Sequence, residues 1–277
     1  VRAKGNFGLP RKRAALLACG AFAAVVAGAL PEPVRAGAWL QPPGNGQIIA
    51  GAAFSQSTRA FNSRGRLVPV PYYKKFELGT YIEYGVTQRL TLVAAPAYDR
   101  VRAPPPAESF TGLGESEFGA RFGLYRDGWT VVSVQGSVRT PGPSIADSAD
   151  PFDPRRSLGF DFRGLIGHGI EIATMPGFID VQGGYRYYLE SQPGEWRLDL
   201  TFGLRPMPQL LWLVQTFSVF STAGGGGFVP YSWHKLASSI VVELFPQWAI
   251  QCGGFMTVAG VNAGRERGPF AALWYRF

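Results

Sequence analysis

The sequence is poor in the residues from which catalytic and metal centres are built. Two cysteines and two histidines occur among 277 residues. His168 and His234 lie far apart, with no Cys/His spacing that would hold a metal. No phosphate-binding glycine loop or nucleotide fingerprint is found, and the run "GGGG" (224–227) reads as flexible loop. Charged side chains make up only 17% of the chain. After residue 38 no apolar run is long enough for a transmembrane helix. Metal and nucleotide chemistry are therefore not expected, nor is any cofactor, and an exported chain of this kind can enter a membrane only as a closed β-barrel.

The basic balance is also thinner than it looks. Of the formal charge of +8, residues 1–38 supply most, with six basic side chains against Glu32. The remaining 21 basic and 18 acidic side chains nearly cancel, so nucleic acid is not an expected partner. The N-terminal stretch has the parts of a secretory leader. Arg11-Lys12-Arg13 is the charged start and "AALLACGAFAAVVAGAL" (Ala14–Leu30) the apolar middle. Ala36-Gly37-Ala38 offers a cleavage site, giving a signal peptide over 1–38 and a mature region over 39–277. An uncleaved anchor and a lipoprotein box ending at Cys19 are the other readings, and eight alanines in a short run argue against a stable anchor. Cys252 then stands alone, and no intrachain disulfide can form.

What the sequence has in plenty is glycine (36 residues) and aromatics (14%), a composition that favours strands over helices. Alternation of period two recurs in twelve segments: 47–61, 72–85, 89–101, 114–125, 129–140, 157–170, 177–190, 195–206, 210–222, 231–244, 248–260 and 267–277. Tight turns at 86–88, 126–128, 207–209 and 246–247 alternate with longer connections at 62–71, 102–113, 141–156, 223–230 and 261–266. The connections at 171–176 and 191–194 break this pattern. Short and long connections alternate in outer-membrane barrels, the short ones on the periplasmic side. A soluble sandwich or lipocalin-like barrel would bury its apolar face, but twelve strands of Phe, Leu, Ile, Val and Tyr exceed such an interior. The expected fold is all-β, a transmembrane antiparallel barrel of about twelve strands in the bacterial outer membrane.

The charged face should then line the lumen. Its members are Lys75, Glu77, Glu83, Arg89, Asp99, Glu115, Glu117, Arg121, Arg139, Asp161, Arg163, Asp180, Arg186, Arg197, Asp199, Arg205, Lys235, Glu243 and Arg276. The signs nearly balance, unlike a selective anion pore. Hairpin register places Glu115 opposite Arg139, Lys75 opposite Asp99 and Asp161 near Arg186. Such pairs either lace the inner wall or line a solute path. Ser232 and His234 share a face near an outer rim but lack a nearby acid, so a rim lipid hydrolase is a remote reading and the protein is not expected to be an enzyme. Asp147, Asp150 and Asp153 with Arg155 and Arg156 read as a solvated outer loop whose arginines could meet lipopolysaccharide phosphates.

The ending "RGPFAALWYRF" puts Leu273, Tyr275 and Phe277 on one face. It resembles the C-terminal signature of bacterial outer-membrane proteins, which implies recognition by the barrel-assembly machinery. "GAWLQPPGNGQ" (37–47), "KFELGTYIEYGVTQRLTL" (75–92), "GLGESEFGARFGLYRDG" (112–128), "VSVQGSVRTPG" (132–142), "FIDVQGGYRY" (178–187) and "TVAGVNAG" (257–264) resemble outer-membrane proteins of the "MetA-pathway of phenol degradation" family. The resemblance spans most of the mature chain and rests on strand-and-turn patterns. It implies a channel for small aromatic or apolar compounds. Membership of an exopolysaccharide secretion system, or a structural barrel, is the second reading. Expected partners are outer-membrane lipid, lipopolysaccharide and a small solute.

Overall fold

A computed structural model describes residues 37–104, 109–141, 158–189, 193–222 and 229–277. Residues 1–36 of the expected leader, the loop acids and arginines at 147–156 and the glycines at 224–227 lie outside the described residues. Within them the chain makes twelve antiparallel passes that close on themselves. These are β1 (Gly46–Phe61), β2 (Leu67–Thr87), β3 (Leu90–Ala95 and Ala97–Arg102), β4 (Phe110–Leu113 and Glu117–Arg126), β5 (Thr130–Arg139) and β6 (Gly159–Ile172). The second half comprises β7 (Met175–Tyr188), β8 (Glu195–Met207), β9 (Leu210–Ser221), β10 (Ser232–Phe245), β11 (Trp248–Val261) and β12 (Ala263–Gly264 and Arg267–Arg276). Closure comes from β1, which pairs with β2 on one side and β12 on the other. No edge is left to template aggregation.

The two faces of the sheet differ as the alternation requires. Phe76, Leu78, Leu92, Phe118, Phe162, Ile166, Leu198, Ile240 and Leu273 are exposed on the outer face. Glu83, Asp99, Asp161, Asp180 and Arg121 are buried on the other, each at 2% exposure or less. Aromatic rings gather at the short-turn end, where Phe277 stacks on Tyr84 and Tyr275, and Trp248 packs on Tyr275. An apolar belt flanked by an aromatic girdle is what a bilayer selects.

Two interruptions have local causes. Pro96 splits β3 because it has no N–H to give its neighbour, while its carbonyl still accepts from Thr80 N (2.9 Å). Gly114–Ser116 splits β4, and the Ser116 hydroxyl instead accepts from Ala97 N (3.1 Å).

Three features differ from the expected layout. The long connection at 62–71 is absent: β1 and β2 run on to Phe61↔Leu67, joined by a turn in which Asn62 Oδ1 accepts from Arg64 N and Arg66 N. Pro69 and Pro71 mask this extension as loop in the sequence; they are tolerated because the strand pairs only with β1 there. The connection at 171–176 is a two-residue turn, with Ala173 and Thr174 at φ 48° and 68°. Arg89 is exposed at a turn and not inward.

A β-branched residue with positive φ is strained. Replacing Ala173-Thr174 by Asn-Gly should raise stability by roughly 1–2 kcal/mol, read as a higher temperature for loss of the compact gel band. A lower temperature would mean that the turn relies on the Thr174 hydroxyl.

Candidate functional site in the barrel interior

Residues 37–45 do not begin a strand. They fold back from the short-turn end of β1 into the interior and are held there by the wall. Ala38 N donates to Asp180 Oδ2 (2.7 Å), and Ser133 Oγ donates to the Ala38 carbonyl (2.9 Å). Trp39 is 6% exposed and meets Phe178 edge-on, with ring centroids 5.5 Å apart. Two glycines make room. A Cβ on Gly37, at φ +87°, would lie 2.2 Å from the Asp180 carboxylate, and one on Gly167 would lie 2.5 Å from the Trp39 ring. Gly37 and Ala38 are the last two residues of the expected leader.

The anchor of this segment is Arg121. All five of its N–H groups are used. Nε and Nη2 donate to Gln135 Oε1, Nη1 to Glu83 Oε1 (2.7 Å) and to the Trp39 carbonyl (3.0 Å), and Nη2 to the Tyr81 hydroxyl (2.9 Å). Glu83 in turn accepts from Gln41 Nε2 (2.8 Å) and Gln47 Nε2 (2.7 Å) through its other oxygen. A buried pair is costly unless its remaining donors and acceptors are matched, and here they are.

A second lattice covers the inner faces of β4 to β8. Arg139 contacts Glu115, and reaches Glu117 at 3.4 Å. Arg163 pairs with Asp161 (2.5 Å) and reaches Asp199 (3.5 Å). Arg186 joins Asp161 (3.0 Å) to Glu195 (3.2 Å), and Arg197 lies 3.7 Å from Asp161. The Tyr231 hydroxyl closes the lattice on Glu195 (2.6 Å). Elsewhere Lys75 bridges Glu77 and Asp99, Arg205 and Arg276 share Glu243, and Lys235 meets Glu266.

The three pairs expected from hairpin register all form as contacts. Only Asp161 and Arg186 are direct cross-strand partners. Arg139 lies opposite Glu117, and Asp99 opposite Glu77, because the turns sit later than expected, between Arg126↔Val131 and between Thr87↔Leu90, and the bulges at Gly123/Tyr125 and Gly85/Thr87 take back only one residue of that shift. Sequence reasoning missed Glu195, Tyr231, Gln135 and the whole inward segment. The uncharged "AWLQPPGNG" between leader and first strand was the available signal.

His234 is brought to Ser218 (Nδ1 to Oγ, 2.9 Å) and the Phe220 ring, not to Ser232, and no carboxylate joins them among the described residues.

Among the described residues, space is left free against the opposite wall. A cavity of about 380 Å³ is bounded by Gly51, Ala53, Gly79, Ala97 and Ala272, with Phe255, Phe270 and Tyr81 beside them. Glu77, Glu115, Glu117 and Arg139 face it from the charged lattice. The interior is thus divided: arginines fill one half, and small residues on β12, β1, β2 and β3 leave the other open.

Comparison with solved structures meets the same architecture. The fold is that of an outer-membrane β-barrel. It is similar to a COG4313 outer membrane channel from Pseudomonas putida F1, with a TM-score of 0.70 at 12% identity over 88% of this chain and 99% of that one. The translocator domain of autotransporter NalP from Neisseria meningitidis gives a TM-score of 0.50 at 11% identity, covering 95% and 96%. The NanC porin gives 0.50 at 6%, covering 82% and 98%. Likeness at these identities speaks for the fold alone. No protein-family profile matches the chain, and no curated protein does.

Proposed function

We propose that the barrel is a narrow channel for small, largely apolar or aromatic solutes. The observation behind this reading is the divided interior: a cavity walled by small and aromatic residues, set beside a segment that constricts the lumen. Eight strands leave an interior just filled by side chains, whereas sixteen to eighteen leave an open aqueous pore. Twelve strands with one half filled by paired arginines leave a conduit on the small-residue side. The likeness to an outer membrane channel fits this reading, as does the resemblance to the phenol-degradation family. Balanced charge in the lattice gives no selectivity for ions of one sign, and the apolar wall favours solutes that shed water readily.

Liposome uptake with a panel of small aromatic and hydrophilic solutes tests it. Ala272 and Ala271 both border the cavity, but Ala272 is on the inward face, opposite buried Gln251, whereas Ala271 is on the outer face, opposite exposed Cys252. Ala272→Phe should lower uptake of the aromatic solutes severalfold with little change in stability, and Ala271→Phe should leave uptake unchanged. Equal effects of the two changes would sink the small-residue conduit. No uptake of any solute by the unaltered protein would favour a structural or secretion role.

A further inference from the structure

Charges are rare on the outer face of the belt, and four of them are gathered in one place. Arg102 on β3 is directly opposite Lys74 on β2, Lys74 is opposite Gln56 on β1, and Gln56 is opposite Arg267 on β12. The four form a single row across four neighbouring strands. Arg100 lies two residues from Arg102 on the same face. All five side chains are exposed. Among the described residues none of the four cations has an ion pair, and the carboxylates of these strands point to the interior. Lys74 directly opposite Arg102 is a like-charge pair, which destabilises a sheet unless an anion lies between.

The height of the row is telling. Lys74 is ten residues along β2 from Tyr84 of the girdle, and Arg267 is ten residues from Phe277. At the rise of a tilted strand this is about 25 Å, the thickness of the apolar band of such barrels. The row therefore marks the border of the belt on the long-loop side, which faces outward in the outer membrane. Below it lie Phe76, Leu78, Tyr98 and Leu273, all exposed. The far side of the barrel is different. There the cross-strand row Phe162–Tyr185–Trp196–Phe220 is aromatic throughout.

We propose that the row formed by Arg100, Arg102, Lys74 and Arg267 is a binding site for a phosphorylated glycolipid of the outer leaflet. Its phosphates lie along the row and its acyl chains against the apolar strip beneath. Adjacent strands are about 4.8 Å apart, so Lys74 and Arg267 are spaced by about two such steps. That suits a headgroup bearing more than one phosphate, which recruits cations on neighbouring strands at once. The site rests on the outer-membrane location and not on the identity of the conducted solute.

The test uses the whole barrel in micelles free of lipopolysaccharide, titrated with bis-phosphorylated lipid A, with its dephosphorylated counterpart, and with inorganic phosphate. Native mass spectrometry reads retained lipid, and heating reads the unfolding midpoint. Lipid A should be retained and raise the midpoint, whereas the other two should do neither. Changing the four cations to Gln should weaken retention by about tenfold or more. Without lipid A the same variant should unfold no earlier than the parent, because removing the cations relieves repulsion. Should the fourfold variant fail to assemble, Lys74→Gln with Arg102→Gln serves, with the same signs and a smaller effect. Undiminished retention by the variant, equal retention of the dephosphorylated lipid, or an equal shift with inorganic phosphate would each overturn the proposal.

Discussion

Arg121→Ala should both loosen the barrel and widen its conduit. The change leaves Glu83 at 1% exposure without its cation, and strips donors from Gln135 Oε1 and from the Trp39 carbonyl. Breaking a buried ion pair from one side costs about 3–5 kcal/mol. A lower urea midpoint in micelles reads that loss. The inward segment loses its contact through Trp39, and the Gln41 contact then rests on a carboxylate that water must now reach. Single-channel current in planar bilayers should rise severalfold, while the folded band on an unheated gel persists, since the strand ladder is untouched. Arg121→Lys keeps the charge but offers three donors in place of a planar fork, and should fall between the two. If the alanine variant keeps the parent current, Arg121 does not hold the constriction, whatever it does for stability.

Removing Phe277 should cut the amount of assembled barrel far more than it weakens barrels that do assemble. In the finished fold the residue exchanges two backbone hydrogen bonds with Gly46, Phe277 N to Gly46 O (3.0 Å) and Gly46 N to Phe277 O (2.9 Å). Its ring stacks near Tyr84 and Tyr275. These are a small part of the seam, because β12 meets β1 along Gln47–Gln56 and Arg267–Arg276 whether or not Phe277 is present. The terminal aromatic is also the last position of the apolar alternation on which recognition by the assembly machinery is expected to depend. Membrane levels and heat resistance of the truncated protein separate the two effects. Normal levels with reduced heat resistance would show that Phe277 is only a clasp at the seam.

Period-two alternation was enough to specify twelve passes and the assignment of charged and apolar residues to opposite faces, because that pattern is local and a one-residue slip would reverse every side chain. Asp161 and Arg186 could be paired from sequence, since the turn between them adds no bulge. The pairs at Glu115/Arg139 and Lys75/Asp99 were placed two residues out of register, because the turns close between Arg126 and Val131 and between Thr87 and Leu90, later than the alternation suggests, and a one-residue bulge beside each leaves no mark in it. The outward extension of β2 was hidden by Pro69 and Pro71, which are compatible with a strand only where no second neighbour needs their N–H. The fate of residues 37–45 was beyond sequence reading altogether: Trp39 is held by Phe178, Arg121 and Gly167, from three different strands. The same holds for the basic row, in which Arg267 and Arg102 come into line only when the last strand closes on the first. Local pattern sets what each strand exposes. Closure decides which distant residues share a height and a face, and both the constricted lumen and the outer basic row arise there.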